Sequence, residues 1–121
     1  MDALVAAARE VRANAYAPYS VYHVGAALLG SDGVVYTGCN VENVSFGATI
    51  CAERVAVVKM VSAGCLSWTR LAVATKDGGT PCGMCLQVLS EFLPVGELGT
   101  VTWVSERGAE GSAPFSDLLP H

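Results

Sequence analysis

The chain has 121 residues, of which 52% are hydrophobic and 15% charged, and its formal net charge is −4. This length predicts a single domain spanning residues 1–121. The seven Lys and Arg residues are scattered and no apolar run is long, which argues against a polynucleotide partner and against a membrane span. Because a small domain has proportionally more surface to cover, the apolar balance predicts a homo-oligomer.

The first half of the chain predicts a helix followed by a hairpin. Asp2 can cap the helix, and apolar residues at helical spacing follow it: Leu4, Ala8, Val11 and Ala15. Two apolar runs, at 24–30 and 34–39, flank the turn sequence Ser-Asp-Gly. They predict a β-hairpin whose strands are covered on both faces.

The second half predicts two helices and further strands. Residues 50–64 form a helix that leaves almost no polar face, so other subunits would have to cover part of it. The remaining predictions are a strand at 70–75, a helix from Pro81 or Cys82 to Pro94, a strand at 100–105, a turn at 107–114, a short final strand and a helical turn at 116–120. This order indicates a mixed sheet between helices.

Three cysteines stand at the predicted starts of two helices. Cys82 and Cys85 form a C-x-x-C pair after Pro81, and Cys51 begins the preceding helix. Residues at i and i+3 share a helix face, and helix N-termini favour thiolates. Three thiolates suit Zn²⁺ and leave its fourth position to a water. Five cysteines, an odd number, do not suit a disulfide framework.

The residues after Cys51 complete a catalytic pattern. Glu53 is close to the predicted metal without being an obvious ligand, which suits a general base for the activated water. Arg54 can offset the surplus negative charge of the thiolates. The layout C-x-E…P-C-x-x-C is the signature of zinc nucleobase deaminases.

Other interpretations of the cysteines stay open. Buried thiols or a structural zinc would need no Glu53, and a closed structural site would need a fourth ligand from Cys39, Cys65 or His23. A redox C-x-x-C pair is disfavoured because the strand context typical of thioredoxins is missing. A non-enzymatic zinc protein remains an alternative of another class.

The sequence resembles the small, homotetrameric cytidine deaminases over nearly its whole length. The matching stretches are AYAPYS, VGAALL, GCNVEN, CAER, PCG-C, QVLSEF and LLP. The resemblance implies an α/β fold, a three-layer α/β/α sandwich with a five-stranded mixed sheet. It also implies one Zn²⁺ per chain on Cys51, Cys82 and Cys85, with Glu53 as the proton shuttle.

The resemblance further implies a nucleoside site at subunit interfaces of a homotetramer. Asn40 and Glu42 would hold the ribose 3′-hydroxyl, and Tyr22 would pack near the nucleoside. Backbone groups near Ala52 and Thr80 would meet the base edge.

Four departures from the family pattern affect the surroundings of the substrate. The family usually has Phe where Tyr22 stands, Arg where Leu86 stands, and Tyr at Phe46, where the side chain reaches a neighbouring subunit's site. Relatives also continue past LLP with a Phe that closes a neighbouring site, whereas the sequence given ends at His121. We therefore expect a more open pocket.

The expected activity is hydrolytic deamination of cytidine, and of 2′-deoxycytidine, to uridine and ammonia in the cytoplasm. Because of the altered positions, an alternative remains open: a deaminase or N4-acyl amidohydrolase that acts on a modified cytosine nucleoside. A polynucleotide deaminase is disfavoured because a basic surface is missing.

Overall fold

The computed structural model describes residues 2–93 and 99–118. The predicted helix stop at Pro94 and the end of the LLP motif, together with His121, lie outside these residues. The elements are α1 (Ala3–Arg12), β1 (Gly25–Gly30), β2 (Val35–Cys39), a 3₁₀ turn (Phe46–Ala48), α2 (Ala52–Ser62), β3 (Trp68–Ala74), α3 (Gly83–Glu91), β4 (Thr100–Val104), β5 (Glu110–Pro114) and α4 (Phe115–Leu118).

The strands form one mixed sheet in the order β2-β1-β3-β4-β5. Only β3 and β4 pair in parallel, and the other three pairs are antiparallel. Helix α1 packs on one face of the sheet, while α2 and α3 share the hydrophobic cluster on the other. The predicted three-layer α/β/α sandwich with a five-stranded mixed sheet is confirmed.

Two glycines allow helices to approach the sheet closely. A Cβ on Gly25 would stand 2.1 Å from the Ala8 carbonyl oxygen of α1. A Cβ on Gly38 would stand 2.5 Å from the Ala52 carbonyl oxygen and 2.6 Å from the Ala56 nitrogen of α2. The contact at Gly38 therefore fixes the first turn of α2 against β2, which is the turn that carries the functional residues.

Trp68 joins the sheet to α3 and α4. Its side chain is fully buried, and its indole N–H donates to the Leu89 carbonyl at 2.9 Å. Its ring meets Phe115 edge to face, with centroids 5.4 Å apart. Burial of such aromatic side chains is a major stabilising term in a domain of this size.

Two sequence predictions about the sheet are wrong. The segment predicted as a turn contains strand β5, whose Gly111 lies so close to Trp103 that a Cβ would stand 2.3 Å from its indole nitrogen. Its Gly, Ser and Pro residues resemble a turn, but they suit a half-exposed edge strand. Strand β2 is also an edge strand and is not covered on both faces, since Val35 is 44% exposed.

The prediction for α2 holds in part. Its inner residues are buried, whereas Val58 is 53% exposed and Lys59 is also exposed. The exposed face is the one for which a subunit contact is predicted. Among residues 2–93 and 99–118, no helix has the length and apolar character needed to cross a membrane.

Candidate metal and substrate site

Three cysteine sulfurs converge where α2 and α3 begin. Cys51 is the N-cap of α2 and Cys82 the N-cap of α3. Cys85 is buried in the first turn of α3, with its sulfur 3.1 Å from that of Cys82. All three sulfurs lie within 4.8 Å of one another, and sulfurs that share one zinc ion are about 3.8 Å apart. The cluster can therefore hold one metal ion.

The chemistry of the donors favours zinc. Thiolates are soft ligands and suit Zn²⁺ better than Mg²⁺ or Ca²⁺. The pKa of Cys51 is lowered because Cys85 donates a hydrogen bond to its sulfur and Arg54 lies beside it, and the pKa of Cys85 is correspondingly raised. Among the described residues, neither Cys39, Cys65 nor His23 joins the group as a fourth ligand.

Glu53 is the second residue of α2 and lies beside the cysteines. Its side chain is buried, with 5% of its surface exposed, yet it lines the cavity described below. Burial raises the pKa of Glu53 to about 7, because desolvation disfavours the charged carboxylate. A carboxyl group with such a pKa can both accept and donate a proton near neutral pH.

Arg54 lies one residue further along α2. Its Nη2 donates to the Thr49 carbonyl at 3.0 Å, while its Nε is buried and has no hydrogen-bond partner among the described residues. Burial opposes the guanidinium charge, but the neighbouring Cys51 sulfur raises the pKa of Arg54 overall. A buried donor left unpaired is costly, and the sulfurs of Cys51 and Cys85, which interact with the Arg54 side chain, can act as acceptors.

A cavity of about 340 Å³ opens in front of the cysteines. We call Cys51, Glu53 and Cys82, which line the cavity, together with the buried Cys85 its cysteine side. The segment 19–24 with Asn40 and Glu42 is its loop side. Eight of the residues singled out from the sequence line this cavity: Tyr22, Asn40, Glu42, Cys51, Ala52, Glu53, Thr80 and Cys82.

The two polar residues predicted to bind ribose also hold the loop side together. Asn40 accepts from the Val24 N–H at 3.0 Å and donates to the Tyr22 carbonyl at 2.9 Å. Glu42 accepts from the N–H groups of Tyr19 and Ser20 at 3.0 and 3.1 Å, and from the Ser20 hydroxyl. The Ser20 hydroxyl and these N–H groups lower the pKa of Glu42.

A short backbone ladder connects the loop side to the cysteine side. Val41 exchanges two hydrogen bonds of 2.9 Å with Ile50, the residue before Cys51. On its other side, Tyr16 donates to the Asn40 carbonyl at 3.0 Å. The position of the loop side is therefore tied to the start of α2.

Phe46 is not part of this cavity. Its side chain is 90% exposed and borders, with Val44, a smaller neighbouring cavity of about 260 Å³. The two cavities share Ser20, Glu42 and Thr49 in their linings. The predicted contact with a neighbouring subunit's site is not tested by a single chain.

Beside Thr80, the cavity is also lined by Thr75 and Gly79, which the sequence pattern did not predict, and Asp77 lies in the same turn. Thr75 is buried, and its hydroxyl accepts from the N–H groups of Gly78 and Gly79 at 2.7 and 3.1 Å. Asp77 accepts from the Tyr22 hydroxyl at 2.5 Å. The turn sequence KDGG at the end of β3 was the available signal, since loops at strand ends often carry functional residues.

The chain is similar to known proteins along most of its length. Residues 1–98 match the family model described as the cytidine and deoxycytidylate deaminase zinc-binding region. The chain is 47% identical over 120 residues to a cytidine deaminase of Halalkalibacterium halodurans, covering 97% of this chain and 89% of the relative. It is 48% identical over 94 residues to one of Sporosarcina psychrophila, covering 76% and 69%.

A solved structure shows the same fold. The crystal structure of cytidine deaminase from Burkholderia pseudomallei superimposes with a TM-score of 0.89 at 41% sequence identity, covering 98% of this chain and 94% of that one. The cytidine deaminase of Mycobacterium tuberculosis gives a TM-score of 0.79 at 39% identity, covering 97% and 91%.

Proposed function

Because the chain belongs to the cytidine and deoxycytidylate deaminase family, we propose that it is a zinc-dependent hydrolase. It converts cytidine and water to uridine and ammonia, and accepts 2′-deoxycytidine as well. The observation that carries the proposal is the burial of Glu53 beside three converging cysteines at a cavity of suitable size.

The cofactor is Zn²⁺, held by Cys51, Cys82 and Cys85. When bound, zinc supplies a Lewis acid that lowers the pKa of a water from 15.7 to about 7 in favourable sites. Three thiolates donate much negative charge and work against this effect, so a compensating cation is needed. We assign that role to Arg54, whose unpaired Nε supports it.

Glu53 moves the protons. It takes a proton from the attacking water and delivers it to N3 of the cytosine ring as oxygen adds to C4. It then takes the proton of the new C4 hydroxyl and passes it to the exocyclic amine, so the C4–O bond becomes the carbonyl of uridine, the C4–N4 bond breaks and ammonia leaves. Its burial supports this role, because the pKa of a proton shuttle should lie near the working pH.

The loop side holds the sugar in this proposal. Three of the roughly four acceptor positions of a carboxylate are engaged on Glu42 by Tyr19 and Ser20. The remaining position can accept the ribose 3′-hydroxyl, and the second N–H of the Asn40 amide can donate to the same oxygen. Backbone groups of Ala52 and Thr80 face the base edge, with the Tyr22 ring beside the nucleoside.

We also propose a homotetramer, in which Phe46 reaches a neighbouring subunit's site. Support comes from exposed apolar side chains in one part of the chain. Tyr16, Val41 and Ile50 pair in the backbone ladder, and Val44 and Phe46, which lie between Val41 and Ile50 in sequence, are 84% and 90% exposed. Light scattering should give four times the chain mass. A stable monomer at micromolar concentration would contradict this part of the proposal.

The proposal also includes a cellular compartment and a domain organisation. The cytoplasm is the proposed compartment, because three reduced thiolates need a reducing environment, and cell fractionation tests this. Residues 1–121 are proposed to form one cytidine deaminase-like domain, which a single cooperative unfolding transition of the zinc-loaded protein would support.

The test of the proposed reaction is a substrate panel. Zinc-loaded protein is incubated with cytidine, 2′-deoxycytidine, deoxycytidylate and N4-acetylcytidine, and ammonia release and ultraviolet absorbance are followed. We expect ammonia from the two nucleosides. Release of acetate from N4-acetylcytidine with cytidine untouched would indicate an amidohydrolase instead. Bound zinc without turnover of any compound would indicate a non-enzymatic zinc protein.

A further inference from the structure

A hydrogen bond between side chains joins two segments that line the cavity. The Tyr22 hydroxyl donates to Asp77 Oδ1 at 2.5 Å, across 55 positions of sequence. Tyr22 belongs to the loop side, and Asp77 lies in the turn between Thr75 and Thr80, which both line the cavity. The bond therefore spans from one wall-forming segment to another.

The backbone beside Tyr22 is held in an unfavourable conformation. Val21 has φ of +60°, a rare value for a β-branched residue. Val21 is 72% exposed, so packing of its own side chain does not explain the conformation. Its neighbours do, because Ser20 is bound by Glu42 and the Tyr22 carbonyl by Asn40. The surrounding hydrogen bonds thus hold the backbone that carries the Tyr22 side chain.

The turn that carries Asp77 is fixed independently. Thr75 binds the N–H groups of Gly78 and Gly79, and Asp77 pairs with Ser105 in an isolated antiparallel bridge. Thr75 is buried, which anchors the turn to the end of β3. The Asp77 carboxylate is therefore offered to Tyr22 from a rigid support.

We propose that Asp77 is a positioning residue that fixes the Tyr22 ring against the nucleoside through this hydrogen bond. The inference rests on the proposed function. A ring already held in place loses less conformational freedom when substrate binds, so the pair strengthens binding. Among the described residues, neither side chain forms a hydrogen bond to the cysteine side, and a contribution of this kind appears in KM and not in kcat.

The test is a double-mutant cycle in the zinc-loaded protein with cytidine as substrate. Tyr22→Phe and Asp77→Ala each raise KM by about two- to tenfold, the range expected for one hydrogen bond. The double variant is no worse than either single variant, because both remove the same bond. Asp77→Asn keeps an acceptor oxygen, so its KM should rise less than that of Asp77→Ala.

The chain offers a matched control. Tyr36 donates to Asp32 Oδ2 at 2.6 Å, the same chemistry at the hairpin turn and outside the cavity. Tyr36→Phe should leave KM unchanged. A comparable rise of KM in this variant would mean that loss of any such bond loosens the fold, and it would overturn the positioning role.

A second measurement separates this inference from the proposed function. The wild type, Tyr22→Phe, Asp77→Ala and the double variant are also unfolded in urea without substrate. The losses of stability in the two single variants should not add up in the double variant. If the wild-type protein does not deaminate cytidine but the losses of stability are non-additive, the proposed function is wrong while the hydrogen bond between Tyr22 and Asp77 is supported. Additive effects on KM, or a fall in kcat with KM unchanged, would overturn the inference.

Discussion

The cysteine side and the loop side of the cavity are built by different means. The cysteine side consists of helix starts, where Glu53 is 5% exposed and Cys85 fully buried. The loop side consists of exposed segments that hydrogen bonds to Asn40 and Glu42 hold in place. Rigid helix ends fix reacting groups, whereas hydrogen-bonded loops shape a binding surface that can differ between relatives.

This contrast separates catalysis from affinity. Changes on the cysteine side should affect zinc content and kcat, while changes on the loop side should affect KM. Each variant below tests whether that division holds, starting from the largest expected effect.

Removal of a proposed zinc ligand should have the largest effect. Cys85→Ala deletes one of three sulfurs and leaves an uncompensated pair of thiolates, so we expect zinc content to fall from about one equivalent to near zero and activity to be lost. Metal analysis and turnover of cytidine check this. Cys65→Ala, which removes a buried cysteine outside the cluster, should keep its zinc. Full zinc occupancy in Cys85→Ala would remove this residue as a ligand.

Displacement of α2 should have a smaller effect. In Gly38→Ala the new Cβ would stand 2.5 Å from the Ala52 carbonyl oxygen, so the first turn of α2 must move. We expect a loss of about 1–3 kcal/mol of stability and a fall in zinc affinity of about tenfold or more. Chelator competition and urea unfolding measure the two effects.

The same substitution elsewhere provides the control. Gly47→Ala places a Cβ where no heavy atom of the described residues lies within 4 Å. Because Gly47 adjoins Phe46, light scattering first checks that the assembly is unchanged, and the variant should then change neither quantity. Equal behaviour of the two variants would show that close packing at Gly38 does not position the metal ligands.

The smallest of these effects is expected on the loop side. Glu42→Gln keeps the shape but loses the charge that Ser20 and Tyr19 bind, so KM for cytidine should rise by about three- to tenfold. The zinc content and kcat should stay at the wild-type values. Glu106→Gln, another exposed carboxylate that accepts from Arg12, is the control. A fall in kcat without a change in KM would break the division between the two sides.

The convergence of residues on the cysteine side could be predicted from the sequence because these residues are close together along the chain. Cys51, Glu53 and Arg54 follow one another at one helix start, and Cys82 and Cys85 are three apart at another. Local spacing on a helix translates directly into a shared face. The long apolar runs likewise predicted β1, β3 and α2.

The loop side depends on contacts between distant residues, which spacing does not reveal. Tyr22 and Asp77 are 55 residues apart, and Asn40 binds Tyr22 and Val24 from 18 and 16 positions away. Strand β5 was predicted too far along the chain for a related reason. Its small residues fit the contact with Trp103 and do not show strand propensity. Tertiary context decides these features.

The most direct test of the central claim concerns Glu53, which is proposed to move protons without holding the metal. Glu53→Gln keeps the size of the side chain and removes the titratable oxygen. We expect about one equivalent of zinc to remain and kcat for cytidine to fall by at least ~10²–10⁴-fold, while Glu91→Gln on the exposed surface of α3 keeps both. Loss of zinc from Glu53→Gln would show that this residue is a ligand, and near-normal turnover with zinc retained would contradict the mechanism.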